Sequence, residues 1–338
     1  MTNQSTPSEI VLVGFPSLPV RFYLPVSLIM FLVYISSLSA NGTVILLIIL
    51  KESLHKPMYM AIANLAASDL LFDTITLPKI IAKYWFEDGA MPFSACLFQV
   101  FWVHFLGTLD AFILMVMAMD RYVAISRPLH YSTIISNKQM VVACTLCLFV
   151  SSIAGLIGVF VILTLVLNCG RTRINSYFCS SSSVYGLACG DVTYSRLVTF
   201  CTATVVLLLP LSFIVFSYVA IIRILNSSIN LRNGEKAFYT CTTHLLVITI
   251  YYIPRLFVYI TNQTKLILNA DVNVLILCLY TFLPHMANPI IYCLRTNEIR
   301  QIIKQCYQHL FYLKGEEEFQ AYPYKGCKSG FSHICYIN

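Results

Sequence analysis

Apolar residues in this chain come in seven long runs separated by short polar stretches, at about 24–50, 58–82, 96–121, 140–167, 195–225, 237–261 and 271–294. The first, Leu24 to Leu50, holds no Asp, Glu, Lys or Arg. About 20 apolar residues carry a helix across the hydrocarbon core of a bilayer. Backbone in lipid must satisfy its own hydrogen bonds, which a helix does. Each run is therefore predicted as a membrane-crossing α-helix, and the fold class as an all-α seven-transmembrane bundle. The first run is too long for a cleavable signal, whose apolar region is about 7–15 residues. The pattern predicts an extracellular N-terminal tail at 1–23, the bundle at 24–294, an amphipathic membrane-surface helix at 295–313 and a cytoplasmic tail at 314–338. Within 295–313, Ile299, Ile302, Ile303, Cys306, Leu310 and Leu313 recur at helical spacing, with Arg300 and Lys304 placed to face lipid phosphates.

Composition agrees: the chain has 338 residues, 58% hydrophobic and 11% charged, against about 25% charged in soluble domains. The charges then orient the bundle. One set of loops carries Lys51, Lys56, Arg121, Arg127, Lys138, Arg223, Arg232, Lys236, Arg295, Arg300 and Lys304. The other mixes Arg171, Arg173 and Arg196 with Glu87, Asp88, Asp191 and Asp271. Basic residues mark the cytoplasmic side, so the N-terminus is expected outside and the C-terminus inside. The net charge of +7 is mostly this inner-face bias, which argues against nucleic acid as a partner. The sequons at Asn3 and Asn262 fall outside and are candidate glycosylation sites. Those at Asn41 and Asn226 fall in a span and on the cytoplasmic side, and are discounted.

Of thirteen cysteines, four lie on the outer side: Cys96, Cys169, Cys179 and Cys189. Extracellular cysteines usually oxidise, and four allow three connectivities. A Cys96–Cys179 pair would tie the long outer loop over the bundle mouth, and a Cys169–Cys189 pair would close a hairpin within that loop. Cys306, on the cytosolic amphipathic segment, is a candidate for palmitoylation.

Charged residues inside the runs point to function. Gly107, Asp110, Leu114, Met117 and Arg121 share one face of the third span, and Asp110 lies near mid-membrane. Asp69 in the second span and Asn288 in the seventh lie at similar depth. An intramembrane carboxylate costs about 2.5–3.5 kcal/mol on insertion scales and should face the bundle interior with a partner. Asp69, Asp110 and Asn288 are thus a candidate sodium or shared-proton site; the alternative is two protonated acids hydrogen-bonded to Asn and Ser. At the cytoplasmic mouth, Asp120 beside Arg121 makes a charged latch that a competing partner can open.

With "LHKPMYMAIANLAASDLL" (54–71), "MAMDRYVAISRPLHY" (117–131), "SY" at Ser217–Tyr218, "KAFYTCTTHL" (236–245) and "NPIIYCLR" (288–295) in order on the right spans, the chain resembles a rhodopsin-like (class A) G-protein-coupled receptor. Within that class it is similar to odorant (olfactory) receptors, of fish type, from about Pro16 to Leu313. Asp110 departs from the glutamate more usual in that family. "IANLAASD" is less aromatic than the mammalian pattern. The resemblance implies that Arg121 meets a heterotrimeric G protein of the olfactory or stimulatory type, that Tyr218 and Tyr292 swing toward it on activation, and that Cys96–Cys179 is the shared disulfide. It implies Tyr252 in place of a toggle tryptophan, Asp69 and Asp110 as the buried cation site, no cofactor beyond that ion, and a multi-pass plasma-membrane protein of olfactory cilia.

The odorant chamber is expected in the outer half of the bundle. Candidate contacts are His104, Thr108 and Ala111 on the third span, Thr199 and Thr202 on the fifth, Tyr252, Arg255 and Tyr259 on the sixth, and Cys278 and Thr281 on the seventh. An Arg255 in contact with ligand predicts an anionic odorant; the alternative is that it snorkels outward or pairs with Asp271. Val103 stands where amine receptors carry aspartate, which disfavours simple amines, and no lysine between Asp271 and Leu294 offers retinal a Schiff base. No enzyme motif is present, and His244 and His285 read as isolated. The competing readings are a non-olfactory class A receptor for a small organic acid or lipid-like ligand, and a transporter, for which the expected internal repeat is missing.

Overall fold

A computed structural model describes residues 7–165, 167, 170–227, 231–263, 269–295 and 299–302. Among these residues, seven helices are long and apolar enough to cross a membrane. They are α1 (Tyr23–Leu50), α2 (Pro57–Phe86), α3 (Phe93–Ser126), α4 (Asn137–Leu163), α5 (Thr193–Ser227), α6 (Leu231–Gln263) and α7 (Ala270–Arg295). Helix α3 is the central post, packed against α2, α4 and α5, while α1 closes against α2 and α7. Leu32, Phe149, Leu156, Phe213 and Phe216 are exposed on the outer faces, as a lipid-facing surface requires.

Local sequence explains the helix ends. Pro57 opens α2 at a position where its missing N–H is not needed. Ser136 caps α4 in a reciprocal box with Gln139. The sequence placed the fourth span at 140–167, but the helix ends at Leu163. Leu165 and Leu167 leave the helix and join a buried cluster with Ile10, Leu12, Ile174 and Cys179. Their hydrophobicity signalled burial under the outer loop, not helix. Close packing of α4 on α3 needs Gly155 and Gly158: a Cβ at Gly158 would lie 2.4 Å from the His104 ring.

The tail at 1–23 is not featureless. Strand β1 (Glu9–Leu12) pairs antiparallel with β2 (Ala90–Pro92) and parallel with β3 (Arg173–Ile174). The three form a small sheet across the outer end of the bundle. Gly14 then turns the chain at φ +69°, and a side chain there would collide with the Tyr84 hydroxyl. The Phe15 N–H donates to that hydroxyl at 3.0 Å, and the Ser17 N–H donates to Asp271 at 3.1 Å.

Residues 299–302 are helical, with Ile299 and Ile302 buried and Arg300 and Gln301 exposed. The rest of the expected surface helix, Cys306, the cytoplasmic tail and Asn3 lie outside the described residues. Asn262 falls within α6, and its side chain lies outside them. Asn41 is fully buried in α1, where it donates to the carbonyls of Ser37 and His285 at 3.1 Å.

Candidate functional site

Chemistry-bearing side chains gather at three depths. Toward the Ser126 end of α3, Asp120 is buried and its Oδ2 lies 3.8 Å from Arg121 Nε. Its Oδ1 accepts a 2.7 Å hydrogen bond from Tyr131, which opens a single-turn helix (Tyr131–Ile134) in the following loop. Burial, and then the bond to Asp120, push the Tyr131 phenol above its ordinary pKa, so it remains a donor at neutral pH. Tyr218 is hydrogen-bonded to His244 Nδ1 at 2.6 Å, so His244 is not isolated. Tyr292 is buried, and its hydroxyl has no hydrogen-bond partner among the described residues.

The middle layer holds the densest charge. Ligand atoms of Asp69 on α2, Asp110 on α3 and His285 on α7 lie within 4.8 Å of one another, all buried. Asn288 donates to Asp69 Oδ2 at 3.0 Å, so the three residues expected to converge do so. The reading of His285 as isolated is overturned: its Nε2 is 3.5 Å from Asp69 Oδ1, and its Nδ1 is 2.7 Å from Asp73 Oδ1. Asp73 itself was missed. The signal was present, since Asp69 and Asp73 are four apart and share a helix face. Ser37 fixes Asp73 through a 2.5 Å hydrogen bond, and Asn41 donates to Ser37 in turn.

In the outer layer, Arg255 on α6 reaches inward rather than toward the outer loop. Its Nη2 lies 3.8 Å from Asp110 Oδ2, and its guanidinium stacks 3.9 Å from the Tyr251 ring centroid. The alternative of pairing with Asp271 is overturned, because Asp271 holds the N-terminal segment at Ser17. His104 Nε2 is hydrogen-bonded to Ser181 of the outer loop at 2.8 Å. Thr108, Ala111, Tyr252 and Cys278 are buried, and Thr202 is half-buried. Thr199 bonds the Tyr185 hydroxyl, and Tyr259 bonds Thr204, both at 2.5 Å. Thr281 bonds the Tyr177 hydroxyl.

Tyr177 and Phe178 are fully buried residues that the sequence did not single out. They descend from the outer loop, Phe178 against Phe72 and Tyr177 against Phe282. The Cys96–Cys179 disulfide and the bond from Cys179 N–H to Gln99 Oε1 at 3.0 Å hold them there. Cys189 is also disulfide-bonded, and its expected partner Cys169 lies outside the described residues. No spacing rule predicts which loop aromatics plug a bundle.

Comparisons with known proteins fit this arrangement. The chain's fold matches squid rhodopsin with a TM-score of 0.71 at 18% identity, over 90% of this chain and 92% of that one. Human "Olfactory receptor 2AT4" is 35% identical over 298 residues, 86% of this chain and 90% of its own length. Mouse "Olfactory receptor 1E16" is 33% identical over 309 residues, 90% of this chain and 96% of its own. The fish-type part of the expectation finds no support in these mammalian relatives, which are receptors and not enzymes. A family model described as "Olfactory receptor" matches residues 30–309, and the chain belongs to that family.

Proposed function

We propose that this multi-pass plasma-membrane receptor binds a small odorant in the outer half of its bundle and activates a heterotrimeric G protein of the olfactory or stimulatory type, raising cyclic AMP. Its N-terminus is extracellular, its C-terminus cytoplasmic, and its site of action the cilia of olfactory neurons. The observation that carries the reading is the Arg255–Asp110 contact. It links the layer beneath the outer-loop plug to the buried carboxylates, and those are linked through α3 to Arg121.

An anionic odorant is the favoured ligand. A largely buried guanidinium gains most from a carboxylate, and Asp110 already occupies one edge of the Arg255 guanidinium. An incoming carboxylate would compete with Asp110, weaken the α3–α6 contact and bias the bundle toward its second arrangement. A cation among Asp69, Asp110 and Asn288, with sodium the ion expected from the sequence, would hold α2, α3 and α7 in the resting arrangement. The amphipathic segment at 295–313 would lie on the inner-leaflet lipids.

The test is dose–response with a panel of acids and their methyl esters on cells expressing the receptor. Acids are expected to act at lower concentration than their esters. Arg255→Gln is expected to raise the acid's half-effective concentration tenfold or more, because a charge-assisted hydrogen bond contributes about 1.5–3 kcal/mol. Equal potency of acid and ester contradicts the ligand class, and no cyclic AMP response to any odorant contradicts the coupling.

A further inference from the structure

We propose that α2, α3 and α7 enclose a binding site for a small phenol, and that the chain's own Tyr177 is its resident ligand, a tethered inhibitor that holds the receptor at rest. The inference rests on the proposed signalling through Arg121 and assigns what restrains it.

Three observations carry it. First, Tyr177 sits as a ligand would. It follows β3 in irregular backbone, yet its side chain is fully buried. The buried cluster around it takes Phe72 from α2, Val103 and Leu106 from α3, and Val274, Cys278 and Phe282 from α7. One polar group directs the phenol. Thr281 donates to the Leu277 carbonyl at 2.9 Å, so its oxygen can accept the phenol proton, and the two hydroxyls are hydrogen-bonded. Apolar walls with a few directing polar groups are the usual make-up of a small-molecule site. Cys278 and Thr281 are among the expected odorant contacts, and Tyr177 takes that place.

Second, the loop that carries Tyr177 is held on both flanks. Cys179 is disulfide-bonded to Cys96 near the start of α3, and its N–H donates to Gln99 at 3.0 Å. On the other flank, Val13 N–H donates to the Ile174 carbonyl at 2.9 Å, and Gly14 N–H to the Ser176 carbonyl at 3.0 Å. The bond from Tyr177 to Thr281 therefore ties α7 to α3 through the loop. Third, two routes lead from this loop to the buried acid–histidine cluster. Thr281 lies one helical turn before His285 on α7. The Phe178 ring stands edge-on to Phe72 at 5.8 Å, and Phe72 edge-on to His285 at 5.1 Å.

The sign of the effect follows from the latch. With Tyr177 seated, Asp120 and Arg121 are 3.8 Å apart, the arrangement read as resting. An occupant with higher affinity for one arrangement shifts the population toward it. A short tether gives an effective concentration on the order of millimolar, which keeps even a weak ligand seated.

The test removes the side chain and adds it back as a free molecule. Ligand-independent cyclic AMP, normalised to surface label, is compared between the parent and its variants. Tyr177→Phe, which loses only the hydroxyl, is expected to raise the basal level about fivefold, the shift that one lost hydrogen bond supports. Tyr177→Ala is expected to raise it further. The phenol p-cresol is then expected to restore the parent level, and toluene, which lacks the hydroxyl, to act at least tenfold more weakly. Thr281→Val added to Tyr177→Ala is expected to erase that difference. A second readout needs no G protein: p-cresol is expected to raise the thermal midpoint of the purified Tyr177→Ala receptor in nanodiscs but not that of the parent, whose site is filled. Basal signalling unchanged or lowered in both Tyr177 variants overturns the tethered inhibition. A midpoint that p-cresol leaves unmoved, or moves no more than toluene does, overturns the phenol site. If Tyr177→Ala does not reach the surface, Thr281→Val in the parent must match Tyr177→Phe, and unequal basal levels overturn the proposal. If every form is silent even with odorant, the coupling reading falls with the inhibition, and the midpoint shift alone decides the phenol site.

Discussion

At the residue scale, the proposed latch turns on one hydroxyl, that of Tyr131. It donates to Asp120, which in turn faces Arg121 at 3.8 Å, so the acid at the foot of α3 is held from two sides. A hydrogen bond to a charged group contributes about 1.5–3 kcal/mol, enough to shift a two-state population about tenfold or more. Tyr131→Phe is therefore expected to raise ligand-independent signalling severalfold without loss of surface expression, as measured by cyclic AMP normalised to cell-surface label. An unchanged basal level would show that the bond is not part of the latch. The Asp120–Arg121 pair was legible in the sequence because the two residues are adjacent. Tyr131 lies in the same motif, but its role was not legible, because nothing in spacing shows a loop turning back on a helix. Arg255 was legible as an oddity; its partner was not, because pairing across α3 and α6 depends on side-chain direction.

At the scale of elements, glycine sets how close helices come. Gly158 lets α4 approach the His104 ring on α3, and overpacking a tight contact costs about 1–3 kcal/mol. Gly158→Val is expected to lower the thermal midpoint of the detergent-solubilised receptor by several degrees and to weaken agonist potency, since His104 must move from Ser181. A mutant as stable and as potent as the parent would contradict that packing. The Cys96–Cys179 disulfide spans 83 residues of sequence and anchors Tyr177 and Phe178 in the bundle. Its loss is expected to abolish most surface expression, with Cys96→Ser and Cys179→Ser equal in effect and the double mutant no worse than either. Seven spans were readable from hydropathy because lipid imposes length and apolarity together. The overshoot at 164–167 and the unforeseen strand at Glu9–Leu12 share one cause. Leu165, Leu167, Ile10 and Leu12 bury against one another, and hydrophobicity alone does not distinguish burial in a loop cluster from burial in a helix.

Within the described bundle, polar groups lie in linked layers: a small sheet and disulfide-tethered plug at one end, Arg255 next to them, a buried acid–histidine cluster, and the Asp120–Arg121 pair toward the other end. The cluster was half legible. Asp69, Asp110 and Asn288 were recognisable as intramembrane polar groups, whereas His285 and Asp73 gained meaning only when α2 and α7 were brought together. The central claim is that an odorant entering the outer half drives nucleotide exchange at the inner face through Arg121. Its most direct test is GTPγS binding to a purified stimulatory-type G protein, with the receptor in nanodiscs and a panel of small acids and esters. At least one odorant is expected to accelerate exchange severalfold over the unliganded receptor, and Arg121→Ala is expected to abolish that acceleration. No acceleration by any odorant, or the same acceleration without Arg121, would contradict the account.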